Sequence, residues 1–132
     1  MKILNIDDEY IALTKMEQLF TEYGECETAK DGISALQKIH EAYVNGRPFD
    51  MITIDIEMPR MNGLQLLTKI REEEEILFMP NSIKIMITAD GSPQNVMQAA
   101  KNKCDAYLVK PVKKDALKRK LIDLGIIKKQ TD

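Results

Sequence analysis

The chain reads as an α/β protein: one doubly wound domain in which a five-stranded parallel sheet carries helices on both faces. Three observations predict this. Short apolar runs, mostly β-branched, alternate five times with stretches of helical period. Each run is only four or five residues long, the length of a strand buried on both faces. Strict β–α alternation requires parallel neighbours joined by right-handed crossovers, which leaves few topologies.

Each element follows in order. Ile3–Ile6 is the first strand. Ile11, Leu13, Met16, Leu19 and Phe20 recur at three- and four-residue spacing and form the first helix, with Gly24 at the place of a C-terminal stop. Cys26–Ala29 is a weaker second strand. Ile33, Leu36, Ile39, His40 and Tyr43 make the second helix, stopped by Gly46. His40, the only histidine, is expected partly buried on that stripe. Met51–Ile54 is the third strand, and Leu64, Leu66, Leu67 and Ile70 mark the third helix. Ile83–Ile87 is the fourth strand. Pro93 opens a fourth helix through Val96, Met97 and Ala100, and Asn102 is expected to supply the positive φ at its end. Ala106–Val109 is the fifth strand. Leu117, Leu121, Ile122 and Leu124 form the last helix, ended by Gly125. The domain is expected to span residues 1–125, with a short tail over 126–132.

Composition narrows the function classes. A chain of 132 residues with 44% apolar and 30% charged residues is a single globular domain rather than a disordered one. A net charge of −2 does not suggest a polyanion binder. No apolar run reaches the ~18 residues of a membrane span. The N-terminus meets Asp7 and Asp8 too early for a signal peptide. Cys26 and Cys104 are too few for a disulfide scaffold or a zinc site, fit a reducing cytoplasm and are expected to be buried small hydrophobes.

The chemistry stands at the strand ends. In such sheets the site lies beyond the carboxyl ends of the strands, near the point where strand order reverses. Strand one ends in Asp7, Asp8 and Glu9, strand three in Asp55, strand four in Thr88, and strand five in Lys110 followed by Pro111. Taken singly, an aspartate pair is often a turn or helix cap, and the others are ordinary strand ends. Together they are a convergent set. Crowded aspartates repel one another unless a cation separates them. Carboxylate oxygens without imidazole or thiolate select a hard ion, Mg²⁺ or Mn²⁺. Acids, a hard metal, a lysine and a hydroxyl suffice to hold a phosphoryl group, because its transfer is mostly positioning and charge neutralisation. A carboxylate can itself be the nucleophile.

Four segments carry a resemblance: ILNIDDE at Ile3–Glu9, IDIEMPRMNGLQLL at Ile54–Leu67, MITA at Met86–Ala89 and YLVKP at Tyr107–Pro111. Over residues 2 to about 125 the sequence resembles the receiver domain of two-component response regulators. The resemblance implies a stand-alone, CheY-like domain of flavodoxin-like topology, (βα)5 with strand order 2-1-3-4-5. It implies that Asp55 accepts the phosphoryl group. Asp7, Asp8 and the backbone carbonyl of Glu57 would join it around Mg²⁺. Lys110 would pair with the phosphoryl oxygens. Thr88 would turn to donate to them, and Tyr107 would rotate into the space Thr88 leaves. Lys110–Pro111 would be a cis bond. The donor would be a phosphohistidine on a sensor histidine kinase or histidine phosphotransfer protein, with small acyl phosphates as substitutes. The output face would be helix four, strand five and helix five. Such a cytoplasmic switch controls a downstream protein partner and catalyses only its own phosphorylation and dephosphorylation. Dimerisation linked to phosphorylation stays open.

Several features depart from the family pattern or extend it. Lys103-Cys104 stands where Gly-Ala is common before the fifth strand. Glu57 places an additional acid near the phosphate, at a position the resemblance associates with dephosphorylation rate. Asn5 and Thr53 interrupt buried strands with polar groups, each two residues before an aspartate, and are expected to contact each other beneath the acids. Residues 110–132 hold eight Lys/Arg against three Asp/Glu, a local net of +5. That face is either solvated or a docking surface for an acidic partner, and nothing in it suggests nucleic acid. Two rivals fit less well. A phosphohydrolase of the haloacid-dehalogenase type wants a second aspartate where Glu57 stands. A flavodoxin-like FMN carrier wants a Ser/Thr/Gly-rich loop where this chain has acids.

Overall fold

The computed structural model describes residues 1–129. Its elements are β1 (Lys2–Ile6), α1 (Tyr10–Phe20), β2 (Glu25–Ala29), α2 (Gly32–Val44), β3 (Met51–Asp55), α3 (Gly63–Ile76), β4 (Ile83–Thr88), α4 (Pro93–Lys101), β5 (Ala106–Val109) and α5 (Lys114–Asp123). The sheet runs β2-β1-β3-β4-β5 and all neighbours are parallel. This is the expected flavodoxin-like order. It reverses between β1 and β3, so the carboxyl ends of those two strands border the crevice.

Period two along each strand sorts the side chains between two cores. Leu4, Ile6, Ile52, Ile54 and Met86 pack with Ala35 and Ile39 of α2 and Leu66, Leu67 and Ile70 of α3. Ile3, Met51, Ile85 and Ile87 pack on the other face with Met16 and Phe20 of α1 and Leu117 and Leu121 of α5. The same alternation sends Asn5 and Thr53 to the α1/α5 side, directly beneath Asp7 and Asp55. Asn5 and Thr53 are register partners, and the Thr53 hydroxyl donates to Asn5 Oδ1 at 2.7 Å, as expected.

Gly46 and Gly125 stop α2 and α5 with φ of 78° and 75°. Their N–H groups and those of the next residues close on the last turns. Gly24 has a different reason. Helix α1 already ends at Thr21, and a Cβ at Gly24 would lie 2.3 Å from the Met1 carbonyl oxygen, so a close backbone approach excludes a side chain. The end of α4 also corrects the expectation. Asn102 keeps φ −83° and its side-chain amide donates to Gln98 O, while Lys103 takes the positive φ of 63°. Arg71 holds the Lys103 carbonyl at 2.9 Å.

Burial differs from the expectation in several places: Ile11 and Ile33, the first residues of the α1 and α2 stripes, are exposed. In α4, Val96 is half-buried while Met97 and Ala100 are exposed, so this helix lies shallowly on the sheet. His40 is exposed rather than partly buried, because the buried positions of α2 are Gly32, Ala35, Ile39 and Ala42. Cys26 and Cys104 are free thiols and half-buried rather than buried. Ile126 and Ile127, in the expected tail, are partly buried against the α1/α5 core. The end of the expected tail, 130–132, lies outside the described residues. Among the described residues no helix is long and apolar enough to cross a membrane.

Candidate functional site

Three strands deliver the acids and the lysine. Asp7 follows β1 and is fixed by its N–H to Ala29 O at 3.1 Å. Asp55 closes β3. Both are buried, at 3% and 2% exposure, while Asp8 is exposed at the rim. Each of the three offers a carboxylate oxygen within 4.8 Å of the others. Lys110, beyond β5, reaches across the sheet. Its Nζ lies 2.8 Å from Asp7 Oδ2 and 3.4 Å from Asp55 Oδ1. The Lys110–Pro111 bond is cis, as expected, and the Lys110 N–H donates to Thr88 O at 2.8 Å.

One ammonium does not balance three carboxylates. Burial, reinforced by the Asp7 charge and only partly offset by Lys110, pushes Asp55 up to about 7. Lys110 goes the other way from what burial alone would do. The hydrogen bond to Asp7 and the charges of Asp55 and Asp7 hold its pKa above the ordinary lysine value. An all-oxygen, anionic, undercompensated cluster opening at the rim through Asp8 fits a hard divalent cation.

The loop after Asp55 explains the longest motif. Met58 is buried, and Met61 packs its sulfur against the position a side chain at Gly32 would need. Arg60 turns the chain with φ 67°. Asn62 caps α3 reciprocally: Asn62 Oδ1 accepts from Gln65 N at 2.9 Å, and Gln65 Oε1 accepts from Asn62 N at 3.0 Å. At Gly63 a Cβ would stand 2.3 Å from the Asp55 carbonyl oxygen, so only glycine lets α3 start directly against the Asp55 backbone. The motif thus anchors the loop that presents Asp55.

The fourth strand end holds a hydrogen-bond network. Thr88 is buried and its hydroxyl donates to Glu57 Oε1. Glu57 Oε2 accepts from Ala89 N at 3.3 Å, and the Glu57 N–H donates to Asp55 Oδ1 at 3.2 Å. Thr88 Oγ1 also accepts from Asp90 N at 3.0 Å and from Asn95 Nδ2, in the first turn of α4, at 3.2 Å. Burial would raise the Glu57 carboxyl, but the Thr88 and Ala89 hydrogen bonds outweigh it and hold the group below the ordinary glutamate value. Tyr107 stands apart from the acids. It is half-buried beside the α2/α3 core, with Lys120 Nζ 5.1 Å from its ring centroid. All the expected site residues except Tyr107 therefore meet at one edge. The sequence reading did not find Asn95 and the two-sided grip on Glu57. Nothing in local spacing marks them, since both depend on how β3, β4 and α4 are placed.

Comparisons with known proteins point the same way. The response regulator receiver domain family matches residues 3–122. The chain is 33% identical over 123 residues to chemotaxis protein CheY-3 of Vibrio cholerae, covering 92% of this chain and 88% of that protein. It is 32% identical to chemotaxis protein CheY of Pseudomonas aeruginosa, covering 92% and 93% respectively. Among solved structures, the CheX–CheY–BeF3–Mg²⁺ complex from Borrelia burgdorferi matches with a TM-score of 0.81 at 28% identity, over 96% of this chain and 90% of that one. Vibrio cholerae CheY4 matches with a TM-score of 0.77 at 29% identity, over 93% and 97%.

Proposed function

This chain belongs to the response regulator receiver domain family, a CheY-like regulator of two-component signalling, and we propose that it acts as a phosphoacceptor switch on Asp55. The observation that carries this is the meeting of Asp7, Asp8, Asp55 and Lys110 at the carboxyl edge of the sheet. An Asp55 carboxylate oxygen attacks the phosphorus of a phosphohistidine on a sensor histidine kinase or a histidine phosphotransfer protein. The O–P bond forms, the P–N bond breaks, and the electron pair leaves with the imidazole nitrogen, which takes a proton. The product is an aspartyl phosphate.

Asp7, Asp8, Asp55 and the Glu57 carbonyl would hold Mg²⁺, or Mn²⁺ in its place. When bound, the ion supplies charge neutralisation to the crowded acids and the incoming anion. The Borrelia burgdorferi relative, in complex with Mg²⁺ and BeF3, supports this assignment. Lys110 already stands between the two buried acids and pairs with the phosphoryl oxygens. Thr88 donates to the new anion, and because it bonds Asn95 at the start of α4, its reorientation reaches that helix. Tyr107 follows into the space vacated. The face of α4, β5 and α5 then changes its affinity for a downstream protein in the cytoplasm. Differential affinity of the phosphoryl group for two arrangements of the β4–α4 loop drives the shift.

The direct test is incubation with acetyl phosphate and Mg²⁺ followed by intact mass. One phosphoryl group is expected, lost on metal removal and in Asp55→Asn. Phosphorylation that persists in Asp55→Asn would place the nucleophile elsewhere. Multiple turnover on small phosphate esters would instead indicate a phosphohydrolase.

A further inference from the structure

Resting on the reading of Asp55 as phosphoacceptor, we propose that Glu57 is an internal anion that occupies the Thr88 and Ala89 donors before phosphorylation, so that the phosphoryl group must displace a carboxylate to reach them.

The geometry is specific. A loop acid with no structural task would turn both oxygens to water. Both oxygens of Glu57 are instead engaged on the next strand, Oε1 by the Thr88 hydroxyl and Oε2 by the Ala89 N–H. The backbone of the same residue is bonded to Asp55 Oδ1 at 3.2 Å, so Glu57 spans from the acceptor carboxylate to the switch hydroxyl. A buried hydroxyl and a backbone N–H just past a strand end are the donors an anion on Asp55 would seek. A carboxylate already holds them.

The link continues to α4. Thr88 Oγ1 is the acceptor for Asn95 Nδ2 at 3.2 Å, and Asn95 Nδ2 also donates to Asp90 O at 3.0 Å. The unphosphorylated β4–α4 loop is therefore tied to the loop after β3 by an anion, with no phosphate needed, while Thr88 Oγ1 also lies 3.1 Å from Asp90 O. Phosphorylation replaces one anion by another on the same hydroxyl, and the Glu57 side chain is released toward solvent. Glu57 then acts as a positioning residue. It sets the orientation of Thr88 in the resting state and weakens binding of any anion at Asp55 by competition.

The test uses fluoroberyllate with Mg²⁺ as probe, read by ¹⁹F NMR titration at one fixed pH. Removing the competing carboxylate in Glu57→Ala is expected to tighten probe binding about tenfold, the worth of a charge-assisted hydrogen bond. In a Thr88→Val background, where the contested hydroxyl is gone, the same substitution should gain only about threefold or less. Glu57→Gln, which keeps the shape, should change binding in the same direction and covers the case in which the alanine variant fails to fold. Unchanged or weaker binding on losing the Glu57 charge overturns the proposal. So does an equal gain with and without Thr88, which would mean repulsion through space. Wild-type protein that takes neither the probe nor a phosphoryl group would instead overturn the phosphoacceptor reading, and the exchange with it.

Discussion

Lys84 and Lys110 lie at opposite edges of the sheet, and they solve different problems. Lys84, in β4 near the amino edge, is buried with Glu74 of α3. Its Nζ lies 2.7 Å from Glu74 Oε1 and 2.8 Å from Ser82 O, while Glu74 Oε2 accepts from the Ser82 N–H and hydroxyl at 2.9 and 2.6 Å. One cation meets one anion, and both oxygens of the carboxylate are bonded. Lys110 at the carboxyl edge meets Asp7 and Asp55, with Asp8 beside them, and Asp55 is driven up to about 7. A balanced buried pair has nothing left to bind. An unbalanced one keeps an electrostatic demand that a divalent cation can answer. The contrast separates a structural ion pair from a reactive one within a single fold.

The comparison breaks most clearly at the balanced end. Glu74→Ala leaves a buried ammonium without its partner and should cost about 3–5 kcal/mol in urea unfolding. Replacing both Glu74 and Lys84 by methionine should restore most of that loss, since the desolvation of both charges disappears. Lys110→Met should cost less than about 2 kcal/mol, because Asp55 can take up a proton instead, yet it should impair switching. If Lys110→Met unfolds the protein while Glu74→Ala does not, the two roles are reversed.

A second effect tests the unbalanced end through pH. The native value of Asp55 lies above its unfolded value near ~3.9, so the folded state holds the extra proton. Stability from this group is full below about pH 4 and is lost as pH rises to about 7. Without metal, Asp55→Asn should therefore melt higher than wild type at pH 8 and close to it at pH 4. Mg²⁺ should narrow the difference at pH 8. A lower melting temperature for the variant at pH 8 would mean that the acids are not in conflict.

Smaller effects sharpen the picture beneath and outside the site. Thr53→Val strands the buried Asn5 amide oxygen and should cost about 1–3 kcal/mol by denaturant unfolding. Arg47 and Glu25 also form an ion pair at 2.8 Å, but both are exposed. Arg47→Ala should change stability by under about 1 kcal/mol, with the difference shrinking in high salt.

How much was legible in the sequence depends on the range of each interaction. The buried runs at β1, β3 and β4 were read within one or two residues, because a strand covered on both faces is mostly apolar, even with Asn5, Thr53 and Lys84 inside them. The stops at Gly46 and Gly125 follow from local φ demands. The convergence of Asp7, Asp55, Thr88 and Lys110 follows from alternation alone, since every parallel strand presents its carboxyl end to the same edge. The α4 stripe misled, because a helix seated shallowly on the sheet leaves apolar residues such as Met97 exposed. Nothing local marks Glu74, the second-last residue of the acidic stretch Glu72–Glu75, as the buried one.

The sequence by itself determined the element order, the parallel sheet and the residues gathered at its edge, because period and alternation are properties of neighbours along the chain. Tertiary structure alone decided which charges are compensated. Lys84 finding Glu74, Lys103 rather than Asn102 turning the chain, and Glu57 closing on Thr88 all depend on distances between segments far apart in sequence. Burial then magnifies those distances into energies that no local pattern encodes.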